Sequence, residues 1–327
     1  MPLALAACKP GSDVLNISGA TMGTVYNVVA VDHSRSVTEA QARDGIEEAL
    51  RLVNAQMSNW DATSEISRIN AGGAGPHVLS AELAEVMEGA ETVHLASEGR
   101  FDTTMGPLIE LWGFGARGDQ QVPADAAVDA ALARAGHGNT LRLGTGMLEK
   151  QQAEAQIYLA AIGKGYGADL IGRALAELGI NDFMVEIGGD LYAAGTNPDG
   201  LPWQIGIEQP AALSGGVLDV VGVSNLGLAS SGDYRNYFEV DGQRFSHVID
   251  PTTGRPITHK TASATVLAEN AMLADAWATA MLTLGRERGL EIAARENLAV
   301  LFIDRDEDAA QMAFKTHASP RFAELTA

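Results

Sequence analysis

The sequence predicts an α+β fold. Segments with helical spacing and segments with strand alternation are mixed, but not in strict strand–helix–strand order. Hairpins and short meanders dominate the second half. The chain has 327 residues and 46% hydrophobic composition, enough for a large core and somewhat beyond the size at which one core keeps growing. No low-complexity block, Pro/Ser linker or fixed repeat divides it. The expectation is one compact body, residues 18–327, with two lobes, preceded by a flexible leader, residues 1–17.

Each element has a local cause. Residues 1–17 carry little pattern. Thr24 to Val31 is β-branched and predicts a strand. Glu39 to Met57 predicts a helix, with Ile46, Ala49, Leu50 and Val53 at helical spacing. Ala81 to Glu98 predicts another, and Pro123 to Ala135 a weaker one begun by Pro-Ala-Asp. Gly165 to Leu178 predicts a helix entered through the glycine-bearing turn Ala160 to Gly167. The strand Phe183 to Ile187 follows and ends at Gly188-Gly189-Asp190. Trp203 to Glu208 and Val217 to Ser224 alternate as strands do. Phe238 to Val240 and Gln243 to Val248 flank Asp241-Gly242, a strong hairpin signal because glycine accepts positive φ. Thr261 to Leu267 predicts a strand, Ala271 to Leu284 and Arg286 to Glu296 two helices, and Ala299 to Ile303 a strand.

The formal charge is −20, from 22 basic and 42 acidic side chains. Nucleic-acid binding is therefore not expected, since it needs a basic stripe. An anionic substrate must be held by local donors or a cation. The single cysteine, Cys8, excludes an intramolecular disulfide and a cysteine-built metal site. Leu5-Ala6-Ala7-Cys8 resembles a bacterial lipobox without the usual basic and long apolar regions, as in a clipped signal. The alternative is an incidental cysteine in a loose terminus. No run of about 18 apolar residues spans a membrane.

The chemistry gathers between Ser230 and Thr279. Asp275 and Thr279 are four apart on a predicted helix and share a face. Carboxylate and hydroxyl oxygens suit a hard cation that completes its shell with carbonyls, water and substrate phosphate. The alternative is a helix cap beside an incidental threonine, but a free carboxylate in so apolar a helix is costly. His247 sits among Ser246, Thr252, Thr253 and Arg255, all phosphate-grade donors. Imidazole is the usual general base near neutral pH, although a lone histidine is more often structural. The other histidines, at 33, 77, 94, 137, 259 and 317, lack such company. Ser230, Ser231 and Gly232 could form a small anion nest with Arg235 beside it, or simply a hairpin turn. Gly163, Gly165 and Gly167 permit close approach of a ligand, or packing of the helix against a strand. Met22 and Trp60 could sandwich a flat heteroaromatic ring, against the commoner alternative of core packing. Trp112-Gly113-Phe114-Gly115 reads as a packed turn sooner than a ligand wall.

TMGT, FDTTMGPL, LWGFG, IGKGYGAD, EIGGD, SGDYRNYF, SHVIDPTTGRPI and ADAWATA occur in this order. Together they resemble the ApbE family, the FAD:protein FMN transferases, over roughly residues 18–320. The resemblance implies two interlocked α/β subdomains with mixed or antiparallel sheets and a ligand cleft between them. It implies FAD as substrate with Mg2+ (or Mn2+ or Ca2+) at its pyrophosphate, FMN passing to a Ser or Thr hydroxyl of an acceptor protein, and AMP leaving. Carried over by motif, His247 would be the base, and Asp275 and Thr279 would ligate the metal with the Ala161 carbonyl and Ala278. Met22, Trp60, Arg100, Phe101, Asp102, Lys164, Arg235 and Ile249 would lie along the FAD. Relatives commonly carry Asp where this chain has Tyr158, so the nucleotide is expected to sit differently or bind less tightly. The resemblance also implies a periplasmic protein, lipid-anchored through Cys8, serving flavin-acceptor domains of membrane redox-complex subunits. An FAD pyrophosphatase and a non-catalytic flavin-binding lipoprotein are the alternatives.

Overall fold

The computed structural model describes residues 12–115, 118–211, 216–306 and 313–326. Cys8 and its lipobox-like context lie outside the described residues. The elements run β1 (Asp13–Thr21), β2 (Thr24–Asp32), α1 (Glu39–Met57), α2 (Glu65–Ala71), β3 (Gly75–Val78), α3 (Ala81–Ala96), α4 (Gly106–Leu111), α5 (Asp125–Leu132), α6 (His137–Thr140), β4 (Leu141–Gly144), β5 (Met147–Lys150) and α7 (Gly163–Glu177). They continue with β6 (Asp182–Ile187), β7 (Asp190–Ala194), β8 (Trp203–Glu208), β9 (Val217–Val223), β10 (Leu226–Gly232), β11 (Tyr237–Val240), β12 (Gln243–Ser246), β13 (Ile249–Asp250) and β14 (Arg255–Pro256). The last are β15 (Thr261–Ala268), α8 (Ala271–Glu296), β16 (Ala299–Arg305), β17 (Phe314–Ala318) and α9 (Pro320–Leu325).

Eight strands form one sheet in the order β1-β2-β6-β7-β10-β15-β16-β17. Every pairing in it is antiparallel. This is the α+β architecture that the mixed patterning predicts. The first strand takes in residues 13–17, which carry little pattern in the sequence. Met22 and Gly23 turn β1 into β2 with φ of 49° and 73°, as the twist of paired strands favours.

Strand alternation gives the sheet two apolar faces. On one face Val28, Val185 and Val266 pack with Ile46, Leu83, Ile171 and Met281 of α1, α3, α7 and α8. On the other, Val31, Leu191 and Leu301 pack against Trp203 and Val221 of the β8–β9 hairpin and Phe322 of α9. A third cluster joins Met105, Leu108, Trp112 and Val128 to Ile249.

Two close approaches fix the elements that carry the site. A Cβ at Gly227 would lie 2.3 Å from the Asn270 backbone, so α8 starts directly on β10. A Cβ at Gly165 would lie 2.1 Å from the Ala271 carbonyl oxygen, so α7 crosses the start of α8 at backbone contact. Asp169 secures the crossing, accepting the Ala271 and Met272 N–H groups at 2.8 and 2.9 Å. These are free donors of a helix start. The helix α8 breaks at Gly285, with φ 71° and ψ 169°, which yields the two helices expected on either side of that residue. Among the described residues, no helix is long and apolar enough to cross a membrane.

Lys150 is 1% exposed. Its ammonium donates to the carbonyls of Ile69, Asn70, Gly72 and Ala153 at 2.9–3.2 Å. Replacing it by Met removes four charge-assisted hydrogen bonds and leaves the Gly72 and Ala153 carbonyls without this donor, while the Ile69 and Asn70 carbonyls keep the Gly72 N–H and the Gln156 amide. Lys150→Met is expected to lower stability by about 2–4 kcal/mol, read from denaturant unfolding. A loss under about 0.5 kcal/mol would show that water replaces the ammonium.

Candidate active site

Strand β10 pairs with β15 through Gly232, but with β7 only over Leu226–Leu228. Beyond Leu228 the sheet splits, and a cleft of about 870 Å3 opens there. That lies within the range of about 300–1,000 Å3 usual for small-molecule sites. Its walls come from the Gly188-Gly189 turn, the start of α7, the first turns of α8, the end of β10, strand β8, and the segments around Arg100 and His247.

At the floor, Asp275 and Thr279 face the cleft one helical turn apart. Asp275 is 3% exposed. It accepts the Gly165 N–H at 3.2 Å. Burial, and then the Asp190 charge, push its carboxyl up to about 7. The Thr279 hydroxyl lies 3.1 Å from that of Ser231. The Lys164 ammonium is in direct contact with Asp190 and stands 3.8 Å from Asp275. The turn that presents Asp190 is held by Glu186, which accepts the Gly189 N–H at 2.5 Å and the Asn27 amide at 2.7 Å.

His247 lies across the same cleft. Its Nδ1 stands 3.1 Å from the Asn236 carbonyl oxygen, which can only accept. Nδ1 therefore carries the proton, and Nε2 keeps its lone pair. Burial holds the imidazole below its usual pKa. The histidine's segment is braced from behind. Asp233 is clamped by Arg244 and Arg305, and Phe114 meets the imidazole edge at 6.3 Å between centroids.

The cleft also gathers Arg100, Phe101, Asp102, Tyr158, Ala161, Arg235 and Ile249. Several are already engaged. Arg100 donates to Asp250 at 2.8 Å. Asp102 accepts from Thr104 and from the His137 N–H. Arg235 pairs with Glu208 at the mouth. The Tyr158 ring occupies space left by Gly106, where a Cβ would lie 2.6 Å from it. Its hydroxyl donates to Glu110 at 3.0 Å and is pushed up to about 12 by burial.

Other expectations fall elsewhere. Met22 does not line the cleft; its side chain packs on Gly167. Trp60 is 70% exposed and also lies outside the lining, so the two form no sandwich here. Ala278 is fully buried and outside the lining. Ser230 to Gly232 are extended strand paired with β15, without the left-handed residue that an anion nest uses. The anion-donor reading of the Asp250 turn also changes. Thr252 caps Asp250, and Arg255 pairs with Asp125. Gly165 and Gly167 serve helix packing, whereas Gly163 has open space beside it. Trp112 is a packed turn residue, donating to the Gly254 carbonyl at 2.9 Å. Asp190 and Glu186 escaped the sequence reading. An acidic residue straight after a Gly-Gly turn, needed as counter-ion to a lone lysine, is the signal that finds Asp190.

A hard cation suits this floor by donor chemistry: a carboxylate and a hydroxyl from one helix turn face it, and Ala161 lies in the same lining. Among the described residues, no group of three or more His, Cys, Asp or Glu could hold a metal by side chains alone. A cation here would draw further ligands from backbone, water or substrate, as Mg2+ does at phosphate sites.

The chain matches the ApbE family over residues 22–302. It is 40% identical to the FAD:protein FMN transferase of Haemophilus influenzae, over 100% of this chain and 95% of that protein. The solved flavin transferase ApbE from Vibrio cholerae superposes with a TM-score of 0.87 at 37% identity, covering 96% of this chain and 99% of that one. The flavinyl transferase ApbE of Pseudomonas stutzeri, solved in its apo form, also reaches 0.87, at 35% identity and with 96% and 97% covered. Agreement in sequence along nearly the whole chain, and in fold over the same span, makes this protein a member of the ApbE family.

Proposed function

We propose that this protein is an enzyme that transfers FMN from FAD to a Ser or Thr hydroxyl of an acceptor protein. The observation that carries this is the shared cleft: it is lined by an imidazole whose Nε2 has no hydrogen-bond partner among the described residues, and by a carboxylate and a hydroxyl suited to a phosphate-bound cation. The names of the relatives supply the substrate class.

In this reading the acceptor oxygen attacks the phosphorus of the FMN half. The bond from that phosphorus to the bridging oxygen breaks, and AMP leaves. His247 Nε2 takes the hydroxyl proton, and the Asn236 carbonyl holds the tautomer that can do so. Asp275, Thr279 and the Ala161 carbonyl would hold Mg2+, which when bound neutralises pyrophosphate charge. Lys164 at the floor and Arg235 at the mouth bring cationic groups to the cleft, each held by a carboxylate, Asp190 and Glu208. The acidic excess of the chain makes such local charge necessary. We place the protein at the periplasmic face of a membrane, anchored through Cys8, with flavin-acceptor domains of redox complexes as partners.

The test incubates protein, FAD and Mg2+ with a flavin-acceptor domain and measures protein-bound flavin fluorescence and AMP. Both products mean transfer. AMP and free FMN without bound flavin mean a pyrophosphatase, and neither product means a binder.

The pH dependence follows from His247. The base form is the neutral imidazole, present above its pKa. Burial lowers that pKa, so the base is fully available at neutral pH. At saturating Mg2+, kcat/KM is expected to be flat near neutrality and to fall only below about pH 6.5. A fall that begins above about pH 7 and persists in His247→Ala would place the base elsewhere.

A further inference from the structure

We infer that Asp190 is a positioning residue that keeps the Lys164 ammonium off Asp275 and so leaves the Asp275 carboxylate open to a divalent cation. This rests on the cation reading of the proposed function. Three charged groups meet at the cleft floor, and all belong to separate elements: Lys164 to α7, Asp190 to β7 and Asp275 to α8. Both carboxylates are nearly out of solvent, with side chains 4% and 5% exposed. One ammonium cannot neutralise two carboxylates. It sits in direct contact with Asp190 and 3.8 Å from Asp275, beyond hydrogen-bond range. The placement is built, not incidental. The Gly188-Gly189 turn, with φ of 57° and 100°, delivers Asp190 to the floor, and Glu186 locks the turn through the Gly189 N–H.

Without Asp190, Asp275 is the carboxylate left within ion-pair distance of the lysine, Glu186 acting on it only from farther off, and a buried ammonium closes on Asp275. The cation would then compete with an internal ion pair. The charge on the floor orders four proteins. Lys164→Gln leaves two carboxylates and no ammonium. The wild type has two carboxylates and one ammonium. The double variant D190N/K164Q has one carboxylate alone, and Asp190→Asn has one carboxylate with one ammonium.

The test measures Mn2+ affinity without flavin, from the electron paramagnetic resonance of free Mn2+ at about pH 8, where carboxylates are ionised. D190N is expected to bind about 10–100-fold more weakly than wild type. The double variant should return to within about threefold of wild type, and K164Q should bind at least as tightly as wild type. A D190N variant that binds like wild type overturns the inference. So does a double variant as weak as D190N, which would make Asp190 a ligand or a structural prop. If D190N does not fold, K164Q decides alone: weaker binding than wild type overturns the inference. Wild-type protein that binds no Mn2+ removes the cation reading itself, and this inference with it.

Discussion

Asp275→Ala is expected to leave a folded protein whose FAD turnover falls about a thousandfold, equal to about 4 kcal/mol of transition-state stabilisation. Asp275 stands on the α8 face that lines the cleft, and no other acidic side chain shares that turn. The fold should survive for an electrostatic reason. The floor holds two buried carboxylates against one ammonium. Deleting Asp275 leaves the Lys164–Asp190 pair balanced, and the Gly165 N–H loses one long hydrogen bond of 3.2 Å. Thermal unfolding should therefore shift little while activity disappears. Activity retained at ordinary Mg2+ concentration would refute the assignment of Asp275 to the cation.

His247→Ala should slow transfer by about 10²–10⁴-fold, the usual contribution of a positioned base. FAD affinity should change less than about threefold, because the imidazole is committed to Asn236 and braced by Phe114 and is not the main grip on a phosphate. Equilibrium titration of flavin fluorescence against single-turnover transfer separates the two effects. Comparable losses in both would make His247 a binding residue only.

Most elements were legible where one face alone decides the pattern. In α1, the buried residues Ile46, Ala49, Leu50 and Val53 fall at helical spacing, and a Thr38–Gln41 capping box starts the helix. The β11–β12 turn was legible because Asp241 and Gly242 both take positive φ. The break at Gly285 was legible for the same backbone reason. What stayed hidden was set by tertiary contact. Strand β10 reads Leu-Gly-Leu-Ala-Ser-Ser-Gly, which looks like a turn. It is a central strand because α8 lies on it, and only a glycine at 227 leaves room for the Asn270 backbone. Strand β1 sits at an edge with much of its surface exposed, so no alternation marks it.

The site divides in the same way. His247, Asp275 and Thr279, which line one cleft, were singled out because their chemistry stands out from their segments. The Met22 and Trp60 expectation rested on residue type and on motif resemblance, not on any pattern that places them together. Met22 sits at the tip of the β1–β2 turn, and its side chain is taken up by Gly167. Asp190 was missed because its role comes from Lys164, twenty-six residues earlier, and from Asp275 on a third element. No local spacing encodes a meeting of three elements.

The most direct test of the account is the intact mass of an acceptor domain after incubation with this protein, FAD and Mg2+. The account predicts that the acceptor gains one FMN less one water, with one AMP released for each flavin attached. Chelating the cation should abolish both products. An acceptor of unchanged mass beside free FMN and AMP, or one carrying flavin with the adenylate still attached, would contradict it.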